Sequence, residues 1–211
     1  MDKHCYIFAA GDLFSCPEIH KDSYIIAADA GFSVAEKFGY KPHLLVGDFD
    51  SLYQIPDNTC TYQVPDEKDY TDTELAINIA IDKGYKSFTV LGALGGERFE
   101  HVLANLQLAA GVAKKGFRIT LTDGKTIVKA IYNSEISFDN SYSGYISIFS
   151  FDGDALGVTI KGLKYELDNV RLSCLKTLGV SNEFTGKNSS ISVKDGVLII
   201  VYHGKDDNTA L

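Results

Sequence analysis

The sequence predicts an α/β N-terminal part, a mostly parallel sheet with helices on both faces, followed by an all-β C-terminal part of β-sandwich type. Three observations predict it. Up to about residue 123, apolar runs of strand length alternate with stretches of helical period, the pattern of a parallel sheet covered on both faces. After about residue 124 the runs become short, β-branched or aromatic, and are punctuated by Gly, Asn and Asp, the signature of an all-β region. Charge divides at the same place: residues 1–123 carry 11 basic and 18 acidic side chains, for −7, and residues 124–211 carry 9 and 10, for −1. The expected domains are therefore 1–123 and 124–211.

The elements follow in order. Residues 5–10 (CYIFAA), 24–28 (YIIAA), 43–46 (HLLV) and 87–91 (SFTVL) are runs of strand length. Val34, Ala35 and Phe38 mark one helix face, and Leu75, Ala76, Ile79 and Ala80 mark a second helix over about 72–83 that ends at Gly84. A longer helix is expected from about Glu100 to Lys115, with Val102, Leu103, Leu106, Ala110 and Ala113 as its apolar stripe and Gly116 as its stop. Beyond it, TIVKAIY, SGYISIFSF, GVTIKGL and SSISVKDGVLIIVY read as strands, with Lys194-Asp195-Gly196 placed as a hairpin turn.

Composition excludes several classes. The chain has 211 residues, 45% of them apolar and 23% charged, which suits a folded chain of one or two domains with a sizeable core. A net charge of −8 with three arginines argues against a nucleic-acid partner, because such binding scales with cationic contacts. Cys5, Cys16, Cys60 and Cys174 form no C-x-x-C pair and cluster with no histidine, so neither a zinc site nor a disulfide framework is readable. No segment approaches the roughly 20 apolar residues of a membrane span, and the expected setting is cytoplasmic with no membrane partner.

In an open parallel sheet ligands bind beyond the carboxyl ends of the strands, so the residues following each apolar run carry the functional reading. YIIAA is followed by Asp29, HLLV by Gly47-Asp48-Phe49-Asp50-Ser51, and SFTVL by Gly92-Ala93-Leu94-Gly95-Gly96, while Asp69-Tyr70-Thr71-Asp72 precedes the second helix. Clustered carboxylates repel, and Mg²⁺ relieves this while taking substrate phosphates. Solvated strand-end turns are the bland alternative for Asp48 and Asp50. Thr71-Asp72-Thr73-Glu74 is also a capping box, with Thr71 as N-cap. The glycines at 92–96 lead into a helix near Arg98, the layout of a phosphate cradle with a bidentate donor beside it. His101 and Asn105 share a helix face and either reach a nucleotide or satisfy each other. Walker A, dinucleotide-fingerprint, zincin and nucleophile-elbow patterns fail.

Five stretches in order, AADAG around Asp29, GDFDS at 47–51, DYTDTELA at 69–76, GALGGERFEHVLAN at 92–105 and GVSNEF at 179–184, resemble the motif series of the thiamine pyrophosphokinases. The resemblance spans most of the chain. It implies an α/β catalytic domain at 1–123, a β-sandwich domain at 124–211 that binds thiamine and dimerises, and transfer of the pyrophosphoryl group of ATP to the thiamine hydroxyl with Mg²⁺, releasing AMP. By the same resemblance Asp48, Asp50 and Asp72 hold Mg²⁺ and act in catalysis with Arg98. Asp29, Ser51, Asp69, Thr71, Gly95, Gly96, Arg98, His101 and Asn105 face ATP, and Ser181 and Asn182 face thiamine. The family usually reads Gly-Gly-Arg-x-Asp-His, whereas here Glu97 precedes Arg98 and Glu100 stands in place of the aspartate. The chain has no tryptophan, which leaves Phe184 or Tyr202 for ring stacking. Two other readings stand beside this one. LLVGDFDS superficially resembles the D-x-D strand end of haloacid-dehalogenase-type phosphohydrolases with an aspartyl nucleophile, although Gly47 interrupts the apolar run and Leu52 follows it. A nonenzymatic nucleotide- or vitamin-binding module is the third.

Overall fold

The computed structural model describes residues 3–48, 60–63 and 69–203. The chain divides into two units: residues up to Asn105 together with Ile119–Lys125 form one, and Leu106–Arg118 together with the chain from Thr126 form the other. The first holds β1 (His4–Phe8), β2 (Tyr24–Ala28), α1 (Gly31–Lys37), β3 (Leu44–Gly47), β4 (Thr61–Gln63), α2 (Asp72–Asp82) and β5 (Ser87–Leu91). The division falls within α3 (Phe99–Lys114), and β6 (Arg118–Thr122) returns to the first unit.

The strand order in the first unit is β4-β3-β2-β1-β5-β6. β1 pairs in parallel with both β2 and β5, and β3 in parallel with β2 and β4. The chain therefore builds outward from β1 to β4, crosses back through α2, and adds β5 on the other side of β1. That reversal opens a crevice between the loops after β1 and β5, where open α/β sheets bind ligands. Consecutive residues of β1, β2, β3 and β5 are buried, with Ile7, Phe8, Ile26, Ala27, Leu45, Val46, Val90 and Leu91 at 0% exposure.

α2 starts where its capping box places it: Thr71 is extended at φ −75°, and its Oγ1 accepts the Glu74 N–H at 3.2 Å. α3 runs one residue ahead of expectation. Its stripe also differs, because Leu103 is 49% exposed while Asn105 is buried; Asn105 turns inward because its Nδ2 donates to the carbonyl of Ala93 at 2.9 Å, which a periodicity argument does not see. β4, with all three residues exposed, carries no apolar signal.

The second unit comprises β7 (Thr126–Tyr132), β8 (Glu135–Phe138), β9 (Tyr145–Lys161), β10 (Leu167–Leu172), β11 (Asn182–Glu183), β12 (Ser189–Ser192) and β13 (Asp195–His203). Their order is β7-β13-β9-β12-β8, with β10 and β11 also pairing to β9. Two expectations are corrected here. The runs SGYISIFSF and GVTIKGL form one 17-residue strand, β9, on which each of the four later strands, β10 to β13, finds a pairing edge. Lys194-Asp195-Gly196 is not a hairpin turn, because β12 pairs with β9 at Thr159–Lys161 and β13 pairs with β9 from Leu156 back to Ile146. The segment instead carries the chain between two stretches of one long strand, with a register shift at Asp195/Val197. One core cluster fills the unit, drawing on Ile127, Phe138, Ile146, Ile148, Ile160, Ile191, Leu198 and Ile200. No helix among the described residues is long and apolar enough to cross a membrane.

Candidate active site

A cleft of about 410 Å³ opens at the carboxyl ends of β1, β2 and β5, in the crevice where the strand order reverses. Its wall gathers the strand-end loops at Ala9–Gly11 and Ala28–Ala30, the start of α2 at Thr71–Thr73, and the glycine-rich turn with the first two turns of α3. Of the residues named from sequence, Asp29, Thr71, Asp72, Gly95, Gly96, Arg98, His101 and Asn105 come together there. Asp48 follows β3 and Asp69 precedes α2, neither on this wall. Asp50 and Ser51 lie outside the described residues.

Backbone packing builds the cleft. Past the last β1–β5 pair, Phe8 with Leu91, the two chains stay side by side: the Ala9 N–H donates to the Leu91 carbonyl at 2.8 Å and the Gly11 N–H to the Gly92 carbonyl at 3.0 Å. A Cβ on Gly11 would lie 2.5 Å from the carbonyl oxygens of both Gly92 and Gly95, so only glycine fits this approach. Gly11 was not singled out in the sequence. Its signal was available, since Gly11-Asp12 follows its apolar run just as the other acidic and glycine-rich loops follow theirs, but the closeness to Gly92 depends on strand order.

Asp29 holds a left-handed backbone at φ 47°, a conformation that costs energy in a residue with a side chain and that concentrates at functional sites. Its N–H donates to the Val46 carbonyl at 2.8 Å, and a Cβ on Gly47 would stand 3.3 Å from the Cα and Cβ of Asp29. The end of β2 and the residue before Asp48 are thus in contact. Asp72 occupies the first turn of α2, where the helix dipole favours a carboxylate. Arg98 and Glu100 pair at 2.8 Å through the arginine Nε, both exposed, and this bond holds the Glu100 carboxyl below its usual range. Glu97 and Arg98 both line the cleft. Asn105 ties α3 to the loop at Ala93, His101 stays exposed, and both line the cleft.

Among the described residues no three His, Cys, Asp or Glu side chains gather around a single point. The donors available are hard carboxylate oxygens, which suit Mg²⁺; that ion uses one or two protein carboxylates and fills its shell with water and phosphate.

In the second unit, Ser181 is exposed at φ 59°, and its N–H donates to Ser147 Oγ at 3.1 Å. Asn182 is 4% exposed, and its amide is spent on the protein: Oδ1 accepts from the Tyr165 N–H at 3.0 Å and its neighbour Glu183 N–H at 2.9 Å, and Nδ2 donates to the Tyr165 carbonyl at 2.7 Å. Asn182 thus does the work of a strand pairing. Of the two stacking candidates, Tyr202 is 2% exposed and Phe184 9%, both edge-on to Phe138 in the core. Burial pushes the Tyr202 hydroxyl well above its ordinary value, and its ring is core rather than a stacking surface.

Two family models match the chain: the thiamin pyrophosphokinase catalytic domain over residues 17–121, and the thiamin pyrophosphokinase vitamin B1 binding domain over residues 133–198. Thiamine pyrophosphokinase of Bacillus subtilis (strain 168) is 30% identical over 83% of this chain and 85% of its own length. Thiamin pyrophosphokinase 1 of Caenorhabditis elegans is 27% identical over 79% and 73%. A crystal structure of thiamine pyrophosphokinase from Bacillus subtilis superposes with a TM-score of 0.84 at 28% identity, covering 95% of this chain and 99% of that one.

Proposed function

The chain belongs to the thiamine pyrophosphokinase family, and from that premise we infer that it transfers the pyrophosphoryl group of ATP to the hydroxyl of thiamine, giving thiamine diphosphate and AMP. The observation that carries the site assignment is the meeting, in one crevice, of a glycine-rich turn entering α3 with carboxylates at the ends of β2 and the start of α2.

ATP lies in the cleft, its phosphates against Gly95, Gly96 and Arg98, with Asp29, Thr71, His101 and Asn105 on the nucleotide side; the family resemblance adds Asp69, off this wall, and Ser51, outside the described residues. The N–H groups of Gly92, Ala93 and Gly96 are bonded within the protein, so the turn offers phosphate its close glycine backbone and the positive end of α3, and Arg98 adds a planar cationic donor. Asp48, Asp50 and Asp72 would hold Mg²⁺, which when bound would supply neutralisation of phosphate charge. The thiamine oxygen bonds to the β-phosphorus, the bond from that phosphorus to the α,β-bridging oxygen breaks, and AMP leaves. The hydroxyl proton passes to a carboxylate of this rim. Thiamine is a cation, so the −7 of residues 1–123 draws it inward. Ser181 and Asn182 belong to the thiamine side, where the bonds of Asn182 make it the anchor of Ser181. We extend the assignment to the whole molecule: helices on both faces of the parallel sheet at 1–123, two stacked sheets at 124–211, and a cytoplasmic homodimer joined through the second domain.

The test incubates purified protein with thiamine, ATP and Mg²⁺ and quantifies thiamine diphosphate and AMP, with Asp50→Asn and Asp72→Asn in parallel. The expected result is equimolar products in the wild type and a loss of about 100-fold or more in each variant at wild-type thermal stability. Inorganic phosphate without thiamine diphosphate moves the assignment to a phosphohydrolase, and ligand binding without turnover moves it to a binding module.

A further inference from the structure

We propose that Asp12 is a positioning residue that fixes the glycine-rich turn at 92–96, and through it the ATP subsite, from outside the cleft. The inference rests on the reading of this cleft as the ATP site. Nothing in the five motif stretches includes Asp12, and the catalytic-domain match begins at residue 17.

The geometry is as follows. Asp12 Oδ2 accepts the Gly96 N–H at 3.0 Å. The Cα of Gly95 faces the same side chain, so that a Cβ there would lie 3.1 Å from the Asp12 Cβ and 3.2 Å from Oδ2. Gly95 and Gly96 line the cleft, and Asp12, exposed, does not stand on its wall. The carboxylate is itself held on a fixed backbone: on one side Gly11 is bonded to Gly92, on the other the Phe14 N–H donates to the Asp123 carbonyl at 2.7 Å and Ser15 Oγ donates to the Gly124 carbonyl at 2.6 Å. The turn is thus fastened at its start by Gly11 and at its end by Asp12, with Asn105 holding Ala93 between them.

A turn of glycines has the widest backbone freedom of any sequence, and it holds phosphate well only when already aligned. Gly96 is two residues before Arg98, so the bond that fixes Gly96 also sets the entry into α3 and the origin of the arginine side chain. An ionised acceptor makes this a charge-assisted bond, and it comes from a residue off the cleft wall.

The experiment compares Asp12→Ala and Asp12→Asn with the wild type. MgATP affinity is measured by titration calorimetry, KM for ATP and for thiamine and kcat by product formation, and exchange of the Gly96 amide by NMR. Loss of one such bond raises KM for ATP about tenfold in Asp12→Ala, with KM for thiamine and kcat within about twofold and faster exchange at Gly96. Asp12→Asn, which keeps the acceptor, returns KM for ATP and the exchange rate to near wild type. Should Asp12→Ala not fold, Asp12→Ser, too short to reach Gly96, carries the same expectation. Wild-type binding of MgATP with an unchanged or lowered KM for ATP in the truncated variant overturns the role of Asp12 alone. Wild-type protein that does not bind MgATP overturns the reading of the cleft, and this inference with it.

Discussion

In the α/β unit the groups around the cleft are carried by short loops whose glycines lie close against neighbouring backbone, Gly11 on the carbonyls of Gly92 and Gly95, Gly47 on the Cα and Cβ of Asp29. In the β unit the polar side chains near residues 181–183 are spent on one another and on the chain: Asn182 on Tyr165, Ser147 on Ser181, Lys164 on Glu183 at 2.8 Å. The first arrangement places side chains such as Asp72, Arg98 and His101 on the wall of the cleft. The second uses side chains as the frame, and leaves the surface to backbone and to the exposed Leu175, Leu178, Tyr145 and Tyr165. A polar residue within a functional motif is therefore of two kinds, and burial with counted bonds tells them apart.

This contrast can be broken or sharpened by substitution. The largest effect is expected in the glycine frame. Gly11→Ala drives a Cβ against two carbonyl oxygens, which must part, so stability falls by about 2–3 kcal/mol and KM for ATP rises with it; denaturant melts and product assays check both. A wild-type melt would show that the frame yields, and the contrast would fail. Asn182→Ala leaves the Tyr165 N–H and carbonyl without their buried partner and costs about 2 kcal/mol. Asn182→Asp keeps the two accepted bonds but turns a carboxylate oxygen toward the Tyr165 carbonyl, so it is intermediate. A direct thiamine contact from Asn182 would instead appear as a raised KM for thiamine in variants of unchanged stability.

The smallest effect is electrostatic. Asp154 accepts the Cys174 N–H at 2.9 Å and pairs with Arg171, and these bonds hold its carboxyl down at about 2. A depressed carboxyl stabilises the fold above its unfolded value near pH 4, and that contribution is lost as pH falls from about 4 toward 2. The difference in unfolding midpoint between the wild type and Asp154→Asn should be full at pH 6 and close across that window. A difference that stays constant down to pH 2 would remove Asp154 from the side-chain frame of the β unit.

Several features of the fold and site were legible locally. YIIAA, SFTVL and TIVKAIY became strands with those same limits, because an apolar run bounded by turn residues is a short-range signal. The capping box at Thr71–Glu74 was equally local, since its bond spans three residues. The reading of strand-end loops brought eight candidate residues to one cleft because the chemistry of a parallel sheet places all such loops on one edge.

What stayed hidden depended on partners far along the chain. Gly11 reads as an ordinary turn glycine until β5 is known to lie beside β1, more than 80 residues later. Asn105 reads as a flank residue until Ala93 offers its carbonyl. Lys194-Asp195-Gly196 has the composition of a hairpin turn, and only the long β9, which both flanking strands pair with, overrules it. Sequence alone thus determined the strands at 24–28, 87–91 and 126–132, the start of α2, which loops carry acid and glycine, and the family to which the chain belongs, since periodicity, capping and motif order are local properties of the polymer. The tertiary structure decided which loops meet, which polar side chains are consumed by the scaffold, and which carboxylate bonds to the phosphate turn, because strand order and register are set by contacts between residues that no short-range pattern connects.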